Sequence, residues 1–399
     1  MNRRLTALVC AWLLGALLLA GGSWTAFHAQ ETNPDKTWKI AVLTYSFSSE
    51  YWGYVAQGCL AYDGSDPAVD ITVQGVSSSI ASGEQIEILK EDLEHGRYDG
   101  YVIAAIDREE VEKILKDVDL PVVVVDSPLD APCVIGRVGT ENQIAATAGA
   151  KKAVAMAREI GWEKPSCVMI GGVEGDYNQE SRLAGYRGGV MMSNGTWLAE
   201  VYPTDKSADS ARAAMEQIMK DYPEGLAVVA CYNDLLAETA LETAEANSAY
   251  DHTVFLGFDG NGSVCERIMN DDRYRNMVTV AQNPYEMGFA AVQMLSDYLR
   301  GQENASQAAS IEGQGDSGGT ASGDSDGDAS GAAGGDSDGG AGGDTDGSAS
   351  GDSDRDASGA AGGDTAGNDG SANYIDSGYS VITKVNAQER MVQIRNHLS

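Results

Sequence analysis

A rhythm constrains this chain more than any other feature: short runs rich in Val and Ile alternate with longer stretches of helical periodicity. The runs "KIAVLTY" (39–45), "AVDITVQ" (68–74), "YDGYVIAA" (98–105) and "LPVVVVDS" (120–127) read as strands. They are too apolar on both faces for a sheet with one wet side, so they call for cover above and below. Between them, 50–62, 84–95 and 109–118 show helical spacing, as in Ile86, Leu89 and Leu93. The order βαβα predicts a parallel sheet with helices on both faces.

After "VIGRVGT" (134–140) the pattern starts again, with helices over 142–160, 179–192, 208–221, 235–247 and 262–270. The strands between them are 166–172, 198–202, 226–234, 252–260 and 276–282. Two similar α/β units in tandem predict two lobes, each a parallel sheet flanked by helices, with a ligand cleft between them. The expected boundaries are 38–141 plus 284–303 for the first lobe and 142–282 for the second. Asn283-Pro284 opens a helix running to about Arg300, with Asn as cap and Pro in the first turn.

Both ends of the globular text are marked by composition. Met1-Asn2-Arg3-Arg4 precedes an apolar run from Leu5 to Ala20, so 1–30 reads as a secretory signal peptide or an N-terminal membrane anchor. Cys10 falls inside that run, too early for a lipid-attachment cysteine. From Ala305 to Asn373 the chain is almost entirely Gly, Ser, Ala, Asp and Thr, with near-repeats "DASGAAGGDSDG" (328–339) and "DASGAAGGDTAG" (356–367). Thirteen Asp and Glu312 stand there against the single Arg355. So few apolar side chains cannot offset the entropy of ordering, and 305–373 is expected to be a disordered insertion. Pieces such as Asp324-Ser325-Asp326-Gly327 lack the twelve-residue loop ending in Glu that calcium asks for. Apolar text resumes at 374–386, expected as a final strand within a segment, 374–399, that completes the lobes.

The formal net charge of -33 disfavours nucleic acid and anionic membranes and favours a neutral or cationic ligand. Cys59, Cys133, Cys167, Cys231 and Cys265 are scattered, without a Cys-x-x-Cys pair or a neighbouring His, and read as small buried residues. "IGGVEG" (170–175) lacks the Lys-Ser/Thr ending of a phosphate loop. No nucleophile and base are paired, so no catalytic residue, metal or cofactor is expected.

Ligands of parallel α/β sheets sit beyond the carboxyl ends of the strands. The first strand ends in "TYSFSSEYWG", which supplies Ser49, Tyr51 and Trp52; the fourth ends at Asp126-Ser127. The second unit supplies Arg182 from "DYNQESRLAGY", then Asn233-Asp234, Asp259 and Gln282. Asn233 is taken as a ligand group and Asp234 as a helix cap. Carboxylates, amides and a guanidinium suit vicinal hydroxyls, and aromatic faces suit the apolar side of a sugar ring. "GFDG" (257–260) puts one carboxylate between two glycines with no acid/base partner, as a hydroxyl acceptor requires.

Tyr51-Trp52, Asp126 after "PVVVV", "VGTEN" (138–142), "SRLAGYRGG" (181–189), "CYND" (231–234), "GFDG" and "VAQNPYEMG" (280–288) come in one order and spacing. In these motifs the chain resembles the type I periplasmic sugar-binding proteins, the ribose- and galactose-binding group, over 38–303 and 374–390. The resemblance implies ring-stacking roles for Tyr51 and Trp52, hydroxyl-binding carboxylates at Asp126 and Asp259, an arginine at Arg182, and amides at Asn233 and Gln282. It also implies an extracytoplasmic protein that closes about a hinge on a sugar or polyol and presents it to an ABC transporter permease, or alternatively to a sensor histidine kinase. Departures stand at Ser49, where the ribose-binding members have Asn, at Ala105, where they have an amide, and at Ser127, where they have Arg. The last leaves room for a larger or deoxygenated ring. Tyr177 and Tyr202 are the candidates for a second-lobe aromatic.

Overall fold

The computed structural model describes residues 36–78, 81–314, 358–359 and 373–397; the N-terminal segment and most of the acidic insertion lie outside them. The chain divides into two compact units, one running to Val138 and taking in Pro284–Arg300, the other holding Gly139–Asn283 and the chain from Ile375.

In the first unit β1 (Trp38–Leu43), α1 (Glu50–Ser65), β2 (Val69–Gln74), α2 (Ser82–His95), β3 (Gly100–Ile103), α3 (Arg108–Leu115), β4 (Val122–Val125) and β5 (Val134–Gly139) follow one another. Every residue of β3 and β4 is buried, as a strand covered on both faces must be. The second unit runs through α4 (Asn142–Glu159), β6 (Ser166–Ile170), α5 (Tyr177–Met192), β7 (Thr196–Val201), α6 (Ala208–Asp221), β8 (Val228–Cys231), α7 (Asp234–Ala244), β9 (Val254–Asp259), α8 (Gly262–Asn270) and β10 (Met277–Gln282). After α9 (Pro284–Gln314) come β11 (Ser358–Gly359), β12 (Asn373–Asp376), β13 (Tyr379–Ile382) and α10 (Ala387–His397). The sheet orders are β12-β5-β4-β3-β1-β2 and β11-β13-β10-β9-β8-β6-β7. The two mostly parallel sheets with their helices are the expected α/β architecture.

Three expectations need correction. The strand expected over 374–386 is two short ones. Gly378 turns the chain at φ 74°, and the Ser377 N–H donates to the Gly139 carbonyl at 2.8 Å, so β12 joins the first sheet and β13 the second. Because β13 returns antiparallel to β10, the second sheet is mixed rather than wholly parallel. α9 also runs past Ala305 to Gln314, into the segment expected to be disordered. Residues 305–314 carry Ala, Gln, Ile and Glu, which favour helix, and sustained glycine begins only after them. Further along, Ser358 and Gly359 pair antiparallel with Ser380 and Tyr379, a pairing that composition does not reveal.

The contact that positions the site lies between α4 and α5. Ala145, Ala146, Ala150 and Ala153 line the buried side of α4. On α5, a Cβ at Gly185 would stand 2.3 Å from the Gln143 carbonyl oxygen, and one at Gly189 2.6 Å from that of Thr147. The two backbones therefore touch through small residues, which draws Arg182 up against the start of α4. The five cysteines of the globular text are all buried, as read from the sequence. Since backbone cannot yield as a flexible side chain does, Gly185→Ala is expected to cost about 1–3 kcal/mol in urea unfolding. Gly188→Ala, on the same helix with open space around it, is expected to be neutral or stabilising by up to about 1 kcal/mol.

Candidate functional site

In the first unit the end of β1 carries an aromatic cluster. Trp52 lies flat on Tyr45, ring centroids 4.5 Å apart and planes 1° apart, while Tyr51 meets Trp52 edge-on at 5.0 Å. Tyr51 is buried and its hydroxyl donates to the Met287 sulfur at 3.2 Å. Only about 8% of Trp52 is exposed, whereas Tyr45 is half-buried and its hydroxyl donates to the Ala105 carbonyl at 3.0 Å. Ser49 holds the N-cap position of α1, partly exposed, without a side-chain bond to the helix. Tyr45 is the ring that sequence reasoning missed, although it stands within the quoted strand-end stretch.

Asp126 follows β4 directly with φ 71°, an uncommon backbone for a non-glycine residue. The Ser127 hydroxyl donates to its Oδ2 at 3.2 Å, and the Arg137 Nε donates to its carbonyl oxygen at 2.9 Å. A guanidinium thus reaches Asp126 from β5, at the backbone carbonyl and not at the carboxylate. Its residue sat in "VIGRVGT" with nothing in the spacing to mark it.

The second unit brings together Arg182, Asp259 and Gln282. Arg182 is buried: its Nε donates to Asn142 Oδ1 at 2.8 Å and its Nη1 to the Tyr232 carbonyl at 2.9 Å. The guanidinium carbon lies 3.9 Å from the ring centre of Phe258 and 4.6 Å from that of Tyr232. These hydrogen bonds and π faces replace water around the cation. Asp259 leaves β9 with φ 112°; its Oδ1 accepts from Gln282 Nε2 at 2.8 Å and lies 3.8 Å from Arg182 Nη1. Asn142 in turn donates to Asn178 Oδ1 at 3.2 Å and to the Thr140 carbonyl at 3.1 Å. "VGTEN" therefore delivers the amide that orients the arginine. Tyr177, at the start of α5, is exposed, while Tyr202 is half-buried with its ring over Gly171.

The cap of α7 is Asn233 and not Asp234 as read from the sequence. Asn233 Oδ1 accepts from the Leu236 N–H at 3.1 Å and is the cap of α7, so only its amide nitrogen side is left to offer a ligand. Asp234, the first helical residue, points inward: it is fully buried, accepts from the Thr279 hydroxyl at 2.5 Å and from the Asn261 N–H at 2.9 Å. Gly257 makes this burial possible, because a Cβ there would lie 2.3 Å from Asp234 Oδ1. Burial pushes the Asp234 carboxyl well above the usual carboxylate range, and the nearby Asp259 charge adds to the shift.

Among the described residues no group of His, Cys, Asp and Glu is arranged to hold a metal ion. No described helix is long and apolar enough to cross a membrane. A cavity of the second unit, about 310 Å³, lies at the opposite end of β9 from Asp259, lined among others by Tyr250, Thr253, Arg273 and Asn276. Arg273 is already held there by Asp271 and Glu245.

The two mostly parallel sheets flanked by helices have the architecture of the type I periplasmic binding proteins. The chain belongs to the family described as periplasmic binding protein domain, whose model matches residues 40–303. No curated relative matches it. Among solved structures it is similar to an ABC transporter solute binding protein from Mycobacterium smegmatis with bound glycerol, at 17% identity and TM-score 0.61, over 88% of this chain and 96% of that one. GanP, a glucose-galactose binding protein from Geobacillus stearothermophilus, is 23% identical with TM-score 0.58, over 67% and 92%. An ABC transporter periplasmic solute binding protein from Actinobacillus succinogenes with bound D-allose is 19% identical with TM-score 0.56, over 65% and 90%.

The raised Asp234 pKa has a stability consequence of definite sign. The folded chain binds this proton more tightly than the unfolded chain, so stability falls as pH rises from the ordinary Asp value through the folded one, and the favourable share is full only below that window. Asp234→Asn removes the titration. Urea unfolding from pH 7 down to about pH 4 should move the stability difference between the two proteins in favour of the wild type as the pH falls. A difference constant with pH would contradict the assignment.

Proposed function

We propose that this chain is an exported, non-catalytic solute-binding protein that captures a sugar or related polyol and presents it to an ABC transporter permease. The observation that carries this reading is the group formed by Asp259 and Gln282, at the ends of β9 and β10, with Arg182 of α5. One carboxylate is held by an amide at 2.8 Å and faced by a guanidinium at 3.8 Å, a spacing that leaves room for a hydroxyl beside both charges. A vicinal diol donates one proton to Asp259 and accepts from Arg182 or Gln282, each bond strengthened by the charge. Asp126 with Ser127 repeats the acceptor chemistry in the first unit, and the Tyr45-Trp52 stack offers an apolar ring face. Ser49, Tyr51 and Asn233 complete the proposed set, Tyr51 by holding Trp52 edge-on. The glycerol, glucose-galactose and D-allose of the structural neighbours are the ligand chemistry to try first.

A thermal-shift panel of glycerol, D-glucose, D-galactose, D-allose, pentoses and inositols tests the reading. A ligand that binds the folded state alone at 100 times its Kd stabilises by about 2.7 kcal/mol, a rise of several degrees. The expected result is such a rise with one sugar and an affinity about 10- to 100-fold weaker in Asp259→Ala. No rise with any polyol, or a rise unchanged by Asp259→Ala, would overturn it.

A further inference from the structure

Resting on that reading, we infer that Asp234 and Thr279 form a buried clamp that positions the ligand-binding carboxylate of Asp259 by gripping the two backbone N–H groups that follow it. The strand end needs such a clamp. Asp259 and Gly260 both have positive φ, 112° and 64°, and the first is a non-glycine residue in a conformation that costs on the order of 1–3 kcal/mol. The surroundings must hold that turn or it relaxes, and the carboxylate moves with it.

The hydrogen bonds form a closed chain. The Gly260 N–H donates to the Thr279 hydroxyl oxygen at 3.2 Å, and the same hydroxyl donates its proton to Asp234 Oδ1 at 2.5 Å. The Asn261 N–H donates to the other oxygen, Oδ2, at 2.9 Å. One carboxylate thus fixes two consecutive peptide planes, one directly and one through a threonine, from β10 and the first turn of α7. Two close approaches that only glycine allows belong to the same arrangement. Gly257 leaves the space that Asp234 fills, and a Cβ on Gly260 would stand 2.2 Å from the Ala281 Cβ. The neighbouring strand that supplies Thr279 also supplies Gln282, whose amide reaches Asp259 at 2.8 Å, so the clamp and the site share one β-ladder.

Asp234 and Thr279 are fully buried, so they are positioning residues, not ligand contacts. A merely structural role predicts lower stability with unchanged affinity while the protein stays folded. The clamp predicts a change in affinity itself. Wild type, Thr279→Val and Thr279→Ser are titrated calorimetrically, well below the melting temperature of each, with the sugar that gives the largest thermal shift in the panel. The expected result is binding about tenfold weaker in Thr279→Val, and within about threefold of wild type in Thr279→Ser, which keeps the hydroxyl. Equal affinities for all three would overturn the clamp while leaving the sugar-binding reading intact. If no sugar binds the wild type, that reading fails, and amide exchange of the ligand-free protein judges the clamp alone. Gly260 and Asn261 are then expected to be protected in wild type and in Thr279→Ser. Exchange of those two amides at open-chain rates in the wild type would overturn it without any variant.

Discussion

The second unit is organised around a desolvated cation. A guanidinium withdrawn from water costs several kcal/mol unless its donors are matched, and Arg182 meets that demand with Asn142, the Tyr232 carbonyl and two ring faces. Each partner arrives from a different element. Asn142 opens α4, Tyr232 follows β8 and Phe258 lies in β9, so the arginine requires α4 and α5 to touch and the strand ends to converge. The glycines of "SRLAGYRGG" let that contact form. The cation then faces the Asp259 carboxylate at 3.8 Å.

The stretch "GFDG" gathers three separate demands in four residues. Gly257 admits a buried carboxylate, Asp259 faces Arg182 and Gln282, and Gly260 turns the chain close against Ala281. The buried Asp234 and the partly exposed Asp259 are two carboxylates given unlike roles by their surroundings. One is sealed and accepts from backbone and threonine; the other keeps access to solvent and to an arginine.

The α/β pattern was legible because parallel, doubly covered strands leave an unmistakable run of β-branched residues, as "VVVV" of β4 does. That Asp126, Asp259 and Gln282 stand at strand ends was legible for the related reason that each closes such an apolar run. What periodicity does not encode is direction. Asn233 and Asp234 are adjacent and chemically alike, and only the backbone at the start of α7 decides that the first caps the helix and the second turns inward. Arg137 and Tyr45 escaped for the same cause: Arg137 lies within β5 and Tyr45 just after β1, and the group that each meets, the Asp126 carbonyl or the Trp52 ring, belongs to another part of the chain. The division of 374–386 into two strands depends on one glycine turn and one carbonyl, Gly139, more than two hundred residues earlier in the chain.

The central claim is that hydroxyls of a sugar are held by Asp259, at the end of β9, and by Arg182 of α5. A crystal structure of the sugar complex measures this directly. The account predicts sugar hydroxyl oxygens about 2.5–3.0 Å from the Asp259 carboxylate, with the Arg182 guanidinium bonded to the same sugar. A sugar seated instead at the other end of β9, in the cavity beside Tyr250 and Arg273, with Asp259 and Arg182 untouched, would contradict it.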